Sequence, residues 1–168
     1  MRHVVGIAEM RISADKEDEL VTHALGSCLG VAIYDPVAGV GGLLHVMLPL
    51  STIDPEKAAA NPCMFIDTGV PALFRACYEA GARKQRLRVH VAGGAATTMA
   101  ARPGGNGSAL GDYFQIGKRN FLMLRKLLWK NGVLLHGFDV GGTHSRTMAL
   151  AIGTGEVTVF AQGSAFRL

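Results

Sequence analysis

The stretch LGSCLGVAIYDPVAGVGGLLHVMLP, residues 25–49, decides the fold, because it holds two apolar segments separated by a turn. The first segment runs from Leu29 to Tyr34 and the second from Gly42 to Met47, with Asp35-Pro36 between them. Short apolar runs bounded by Gly, Asp and Pro are typical of β-strands. The sequence therefore predicts two adjacent strands joined as a hairpin.

Outside this stretch, the pattern predicts further strands and two helices. The predicted strands are Val4–Glu9, Glu19–His23, Arg86–Val91, Val133–Val140, Thr147–Ile152 and Glu156–Ala161. One helix is expected to start at an Asp67 or Thr68 cap, to carry Pro71 in its first turn and to stop at Gly81. A second helix is expected at about Lys118–Lys130, after a mobile surface loop over Arg102–Gly111.

This order of elements predicts an α+β fold, a layered α/β/β sandwich of mixed sheets with about two to three flanking helices. The chain has 168 residues, of which 49% are apolar, so we expect one compact domain over residues 1–168. The net charge of +4 is small and could favour an acidic protein partner. Nucleic-acid binding is disfavoured, because the basic cluster from Arg83 to Arg88 has no interleaved aromatic residues.

Neither a membrane segment nor a cofactor site is expected from the sequence. The apolar run Val4–Ala8 is shorter than a signal peptide requires, and Leu43–Leu50 is interrupted by His45 and Pro49, so we expect a cytoplasmic protein without membrane insertion. The cysteines form no even framework and no zinc-type spacing, and the glycine-rich segment lacks the Lys-Ser/Thr of a phosphate loop. The prediction is no metal and no cofactor.

Cys28 and His45 are the candidate catalytic pair. Cys28 lies between Gly26 and Gly30, immediately before a predicted strand, and His45 interrupts the apolar partner strand. Neighbouring strands are about 4.8 Å apart, so the hairpin can bring thiol and imidazole together. An imidazole that takes the thiol proton activates the sulfur and can then protonate a leaving amine. Residue statistics alone also allow a small core cysteine and a buried histidine satisfied by a carbonyl.

A third group normally holds such an imidazole in one tautomer. Thr22, near the end of the strand that leads into the Cys28 turn, is a candidate through its hydroxyl or its carbonyl oxygen. A threonine in a strand is also explained by β-propensity alone. The other two thiols, Cys63 and Cys77, have no histidine in a nearby motif.

Several motifs resemble the CheD family of chemoreceptor glutamine deamidases, in order along nearly the whole chain. They are Val5-Gly-Ile-Ala-Glu9, Leu25-Gly-Ser-Cys28, Ala32-Ile-Tyr-Asp-Pro36, Gly41-Gly-Leu-Leu-His-Val-Met-Leu-Pro49, Phe65-Ile-Asp-Thr68, Pro71-Ala-Leu73, Gly93-Gly-Ala95, Ile116-Gly-Lys-Arg-Asn120 and Asp139-Val-Gly-Gly142. The chain departs from the family's usual Gly-Gly-x-x-Gly-Arg at Ser145.

The resemblance implies that Cys28 is the nucleophile, His45 the general base and acid, and Thr22 the residue that orients the imidazole. It also implies a fold related to glutamine-deamidating toxins, and conversion of glutamines on methyl-accepting chemotaxis receptors to glutamate, with glutamyl methyl ester hydrolysis as a further activity. The implied partner is a CheC-type phosphatase, with the protein a monomer or a heterodimer with CheC. Backbone amides near Ser27 to Leu29 are the expected oxyanion donors, each worth roughly 3 kcal/mol in other enzymes.

Two other functions fit the residues less well. One is a non-catalytic adaptor that binds CheC or receptors and keeps the cysteine for structure. The other is a papain-like protease, which is disfavoured because its histidine would lie much farther along the chain from so early a cysteine.

Overall fold

The structure, a computed structural model, describes residues 1–96 and 108–168, with the backbone alone for residues 108–115. Within these ranges the chain forms ten strands and three α-helices. The strands are β1 (Arg2–Val4), β2 (Glu9–Ser13), β3 (Glu19–Leu25), β4 (Leu29–Asp35), β5 (Val40–Val46), β6 (Arg88–Gly93), β7 (Leu135–Val140), β8 (Arg146–Ala151), β9 (Val157–Ala161) and β10 (Ser164–Arg167). The helices are α1 (Pro55–Ala60), α2 (Ile66–Glu79) and α3 (Ser108–Lys130).

The strands build two five-stranded sheets. Sheet I has the order β2-β5-β4-β6-β7, and sheet II has the order β1-β3-β8-β9-β10. Among the described strands, β6 and β7 pair in parallel in sheet I, as β1 and β3 do in sheet II, and the other neighbours are antiparallel. Both sheets are therefore mixed.

The helices and sheets lie in three layers. Helices α2 and α3 pack on one face of sheet I, and sheet II packs on the other. One apolar core, with Leu44 and Leu73, lies between the helices and sheet I. A second core, with Leu43 and Leu150, lies between the two sheets. This arrangement confirms the predicted α+β fold, an α/β/β sandwich of mixed sheets with flanking helices.

The predicted hairpin is the centre of sheet I. Every residue of β4 and β5 is buried, because these strands are covered by helices on one face and by sheet II on the other. Strands covered on both faces carry continuous apolar runs in place of alternation. The Asp35 carboxylate closes the turn by accepting hydrogen bonds from the amides of Val37 and Ala38, at 2.9 and 3.1 Å.

The predicted strand over Val4–Glu9 is wrong. The chain leaves sheet II after Val4 and enters sheet I at Glu9, so these residues connect two sheets. Gly6 donates its amide to the Glu9 carboxylate at 2.9 Å, and Ala8 takes a φ of 56°, which is incompatible with an extended strand. A run of mostly apolar residues does not show where the chain passes from one sheet to the other.

The start of α2 also differs from the prediction. Phe65 is the N-cap residue and makes no side-chain cap, and the Asp67 carboxylate instead accepts hydrogen bonds from the amide and hydroxyl of Ser51, at 2.8 and 2.7 Å. Pro71 lies in the second turn of the helix and not in the first. The predicted stop is confirmed, since Gly81 follows the helix with a φ of 108°.

Helix α3 starts at Ser108, well before the expected Lys118. Gly111 and Gly117 make the composition of this first part of the helix resemble that of a loop, so the sequence did not predict it as helical. The loop prediction over 102–111 is therefore wrong from Ser108 onward, and its remainder lies outside the described residues. Within the described ranges, none of the helices is long and apolar enough to cross a membrane.

Candidate active site

Cys28 lies in a turn, residues 26–28, that connects β3 of sheet II to β4 of sheet I. The three carbonyl oxygens of this turn each accept one hydrogen bond, two from the segment after β6 and one from α3. The donors are the Ala95 amide to Gly26, the Asn120 side chain to Ser27 and the Gly94 amide to Cys28, all at 2.9 Å. The turn is thus held on its carbonyl side by the segment after β6 and by α3.

Gly93 makes this close approach feasible. Its φ is 114°, and a Cβ at this position would lie 2.1 Å from the Cys28 carbonyl oxygen. No other residue type fits here without displacing the Cys28 turn, because this contact is to backbone.

His45 lies on β5 directly opposite Gly30 of β4, and Leu29 is opposite Val46. Residues opposite each other in an antiparallel pair project to the same face, and so do residues two apart on one strand. At Gly30 this face of sheet I is turned toward the inter-sheet core, because a Cβ added to Gly30 would lie 2.9 Å from side-chain atoms of Leu25 and Met148. The half-buried Cys28 side chain packs against that same core. Thiol and imidazole therefore share the space between the sheets.

Thr22 of β3 approaches the imidazole from the opposite sheet. Its Oγ1 lies 2.7 Å from His45 Nδ1 and donates a hydrogen bond to the Val5 carbonyl oxygen at 2.8 Å. A threonine hydroxyl has a single proton, and Thr22 donates it to the Val5 carbonyl. In the contact between Thr22 and His45, the donor must therefore be the Nδ1–H of His45. The arrangement selects the tautomer with a lone pair on Nε2. Thr22 and His45 are both at most 1% exposed.

His45 Nε2 is buried and has no hydrogen-bond partner in the described part of the chain. The Cys28 thiol therefore does not yet bond to it in this structure, although both lie on the same side of sheet I. Contacts of this kind are often long in a free enzyme and shorten when substrate binds.

Burial sets the charge state of this pair. It raises the pKa of the Cys28 thiol above its ordinary value, an effect that the residue's own backbone amide partly offsets. It also lowers the pKa of the His45 imidazole. Both shifts favour a neutral thiol and a neutral imidazole.

The other two cysteines lie in different surroundings. Cys77 is fully buried in the core between α2 and sheet I, and burial raises its pKa to about 12. Cys63 is half-buried, and burial together with the charge of Glu9 raises its pKa. Within the described ranges, no group of three or more His, Cys, Asp or Glu side chains is arranged to hold a metal ion.

Sequence comparisons identify the family. The model of the family described as CheD chemotactic sensory transduction matches residues 47–161. A Syntrophus aciditrophicus protein named "Probable chemoreceptor glutamine deamidase CheD 1" is 49% identical over 166 residues, which are 98% of this chain and 96% of that protein. This chain belongs to the CheD family.

Other CheD relatives extend the match. One from Solibacter usitatus is 49% identical over 92% of this chain and 85% of its own length, and one from Anaeromyxobacter dehalogenans is 40% identical over 92% and 91%. Among solved structures, the chain resembles a crystal structure of a Neisseria meningitidis protein of the DUF152 family, with a TM-score of 0.45 and 11% identity. The match covers 83% of this chain and 62% of the Neisseria protein. The family model begins after Cys28 and His45, whereas the match to the relative from Syntrophus covers almost the whole chain and so includes positions 28 and 45.

The Ser27 and Cys28 amides of this CheD protein lie in the turn that carries the thiol. In the described ranges neither donates a hydrogen bond to another residue, and the Cys28 amide interacts with its own thiol. Leu29, the third residue of the predicted oxyanion site, is fully buried and paired with Val46 and Gly93 in sheet I. The geometry thus favours Ser27 and Cys28 over Leu29.

The departure at Ser145 leaves this part of the CheD fold intact. Gly141 and Gly142 have φ values of 85° and 67°, whereas Ser145 has no positive φ and is exposed, so a glycine is not required there. The Gly141 amide donates to the Gly93 carbonyl at 3.0 Å. The turn therefore supports the segment that holds Cys28.

Asn120 ends the motif Ile116–Asn120 quoted for the family resemblance, but the sequence assigned it no role at the site. It is fully buried on α3 and contacts the Cys28 turn through its side-chain amide. The available signal was its position one turn before Leu124, on the apolar stripe of the helix. A lone Asn on such a stripe needs a buried partner, but the pattern cannot say which one.

Proposed function

We propose that this protein is a glutamine deamidase that converts glutamine side chains of chemoreceptors to glutamate by way of a thioester on Cys28. The observation that carries the proposal is the His45 imidazole, which Thr22 holds by Nδ1 while Nε2 stays unpartnered on the side of sheet I that Cys28 occupies. A buried basic nitrogen beside a thiol is suited to acyl transfer. The names of the relatives supply the substrate class.

In the first half of the reaction, Cys28 Sγ attacks the side-chain carbonyl carbon of glutamine while His45 Nε2 takes the thiol proton. The developing oxyanion is positioned to accept hydrogen bonds from the Ser27 and Cys28 amides. The C–N bond then breaks, His45 returns the proton to the leaving nitrogen, and ammonia departs. The glutamyl group is left on the sulfur as a thioester.

In the second half, water attacks the thioester carbon and His45 Nε2 takes its proton. The C–S bond breaks, the proton returns to sulfur, and the products are glutamate and the free Cys28 thiol. One water is consumed and one ammonia released in each cycle. A glutamyl methyl ester would react by the same route with methanol as the leaving group, so we include ester hydrolysis as a second reaction of the site.

The proposed partners follow from the same assignment. Receptor cytoplasmic helices are the substrate, which places the reaction in the cytoplasm. A CheC-type phosphatase is proposed as the regulatory partner, with the protein acting alone or as a heterodimer with it.

The direct test is incubation of the purified protein with the cytoplasmic region of a receptor from the same cell. We expect ammonia release, together with the mass increase that accompanies exchange of an amide for an acid at defined glutamine peptides. A receptor in which those glutamines are already glutamate is the matched control and should release no ammonia. Folded protein that leaves every receptor glutamine unchanged would refute the proposal.

Replacement of Thr22 by Val should lower kcat by about 10- to 100-fold, the equivalent of losing one buried hydrogen bond. The substitution keeps the side-chain shape and removes the oxygen that fixes the imidazole tautomer. Thr22→Ser keeps that oxygen and should retain most of the activity. The measurement is ammonia release, with the ¹⁵N shifts of His45 reporting the tautomer. Equal activity of the Val and Ser variants would show that Thr22 does not orient the base.

A further inference from the structure

The side chain of Asn120 joins two separate segments of the site. Its Nδ2 donates to the Ser27 carbonyl at 2.9 Å and to the Met47 carbonyl at 2.8 Å. Both acceptors are carbonyl oxygens, so the amide group must face them and Oδ1 must point away. Asn120 is fully buried, and its Oδ1 has no partner in the described part of the chain.

The two acceptors stand next to the reacting groups along the chain. Ser27 directly precedes Cys28, and Met47 lies two residues after His45, just beyond the end of β5. A single carboxamide on α3 therefore connects the backbone that presents the thiol with the backbone that presents the imidazole. On the side of sheet II, the Thr22 hydroxyl contacts the His45 imidazole and the Val5 carbonyl.

Helix α3 also contacts the site one turn earlier, at Gly117. An added Cβ there would lie 2.5 Å from the Gly94 carbonyl oxygen and 2.7 Å from that of Ala95. The Gly94 amide in turn donates to the Cys28 carbonyl. Gly117 and Asn120 are three residues apart and so lie on the same face of the helix. That face is held against the Cys28 turn at two points.

We propose that Asn120 is a positioning residue of the deamidation reaction. It fixes the distance between Cys28 Sγ and His45 Nε2 by holding the Cys28 turn and the end of β5 at a set separation. The inference rests on the proposed function, because it assigns Asn120 to the geometry of that reaction. An error of about 1 Å in such a geometry can lower a rate by about 100-fold without touching substrate.

The decisive variant is Asn120→Leu, which keeps the approximate size of the side chain and removes both donated hydrogen bonds. We expect kcat on receptor to fall by about 100-fold with little change in KM. Asn131→Leu is the matched control, since Asn131 is an exposed residue directly after α3 whose side chain donates to the Leu127 carbonyl, so its kcat should stay at the wild-type value. Thermal unfolding of each variant shows whether the protein is folded at the assay temperature.

A second measurement does not depend on the receptor. Alkylation of Cys28 by iodoacetamide, followed by peptide mass spectrometry, reports how far His45 assists the thiol. In Asn120→Leu, the rate and its pH dependence should move toward those of a His45→Gln variant. If Asn120→Leu does not fold, Asn120→Gln retains the amide but displaces it by one methylene, and the same shift in smaller degree is expected.

The outcomes separate this inference from the proposed function. A folded Asn120 variant with wild-type kcat and wild-type Cys28 alkylation, in a protein that Cys28→Ala inactivates, would overturn the positioning role and leave the deamidase assignment standing. Full activity of Cys28→Ala would instead overturn Cys28 as the nucleophile, and with it the geometry that Asn120 is proposed to set. Folded wild-type protein that leaves every receptor glutamine unchanged would overturn the deamidase assignment. Loss of stability in Asn120→Leu with kcat unchanged below the unfolding temperature would make Asn120 purely structural.

Discussion

Replacement of Cys28 by Ala is expected to abolish glutamine deamidation, with a loss of at least about 10³-fold in kcat. The methyl group of Ala cannot attack a carbonyl carbon, and the other two thiols, Cys63 and Cys77, pack against the core on the helix side of sheet I. Cys28→Ser should be almost as inactive, because a serine hydroxyl is a weaker nucleophile than a thiol at neutral pH. Ammonia release from receptor, measured on both variants, checks the result.

The matched control for Cys28 is Cys63→Ala. Both thiols are half-buried and both have a pKa that burial raises, so they differ chiefly in what surrounds them. Cys63 lies between α1 and α2 in the chain and packs against the core on the helix side of sheet I, whereas Cys28 packs against the core between the two sheets. Its replacement should leave kcat within about twofold of wild type, as expected for a site away from the chemistry. If Cys28→Ala were as active as Cys63→Ala, a group other than the Cys28 thiol would be the nucleophile.

The hairpin and the layer order could be predicted because they depend on local patterns. β4 and β5 are apolar at nearly every position and are joined by a turn that the Asp35 carboxylate closes within its own loop. Such signals lie within a few residues of one another. The Val4–Glu9 segment failed because its backbone changes sheets, which depends on strands far away in sequence.

The candidate site could be predicted in part. Cys28 and His45 are near neighbours across one hairpin, so their proximity follows from strand pairing. The contact between Thr22 and His45 joins two different sheets, and local spacing allowed it without requiring it. Asn120 meets Ser27 and Met47 across 93 and 73 residues of chain. A contact over such a separation depends on how α3 packs against the sheet, and it produces no periodic pattern in the sequence from which it could be predicted.

The charge state of the site was also beyond the sequence. The nucleophile motif is compatible with either a thiolate beside an imidazolium or a neutral pair. Burial decides between them here, since it raises the pKa of Cys28 and lowers that of His45. A reactive thiolate held permanently in the free protein would also be open to oxidation and alkylation. A neutral pair limits this reactivity until substrate is present.

Replacement of His45 by Gln is expected to lower kcat by at least about 10³-fold, comparable to the loss of the nucleophile. Gln can still donate a hydrogen bond toward Thr22, but it has no basic nitrogen to take the thiol proton. The thiol, whose pKa burial raises, then stays protonated at neutral pH. The rate of Cys28 alkylation should fall with kcat.

His23→Gln is the matched control for His45. His23 is adjacent to Thr22 on β3, but it is exposed and its Nδ1 lies 3.2 Å from Thr147 Oγ1. Its side chain points away from the inter-sheet space, because neighbours on a strand face opposite sides. Activity should therefore be retained. Loss of activity in His23→Gln with retention in His45→Gln would reverse the assignment of the base.

The pH dependence gives the His45 prediction its sharpest form. Burial lowers the pKa of His45 below its ordinary value of 6.5, so the base stays neutral as the pH falls through 6.5. For the wild type, kcat/KM should hold steady at that pH and decline only further into acid, while the residual activity of His45→Gln should show no such decline. In the unfolded chain His45 is protonated as the pH falls through about 6.5, whereas in the folded protein it stays neutral to a lower pH. The free energy of unfolding therefore decreases as the pH falls below about 6.5. A wild-type decline centred above pH 6.5 would contradict a buried, neutral His45 as the base.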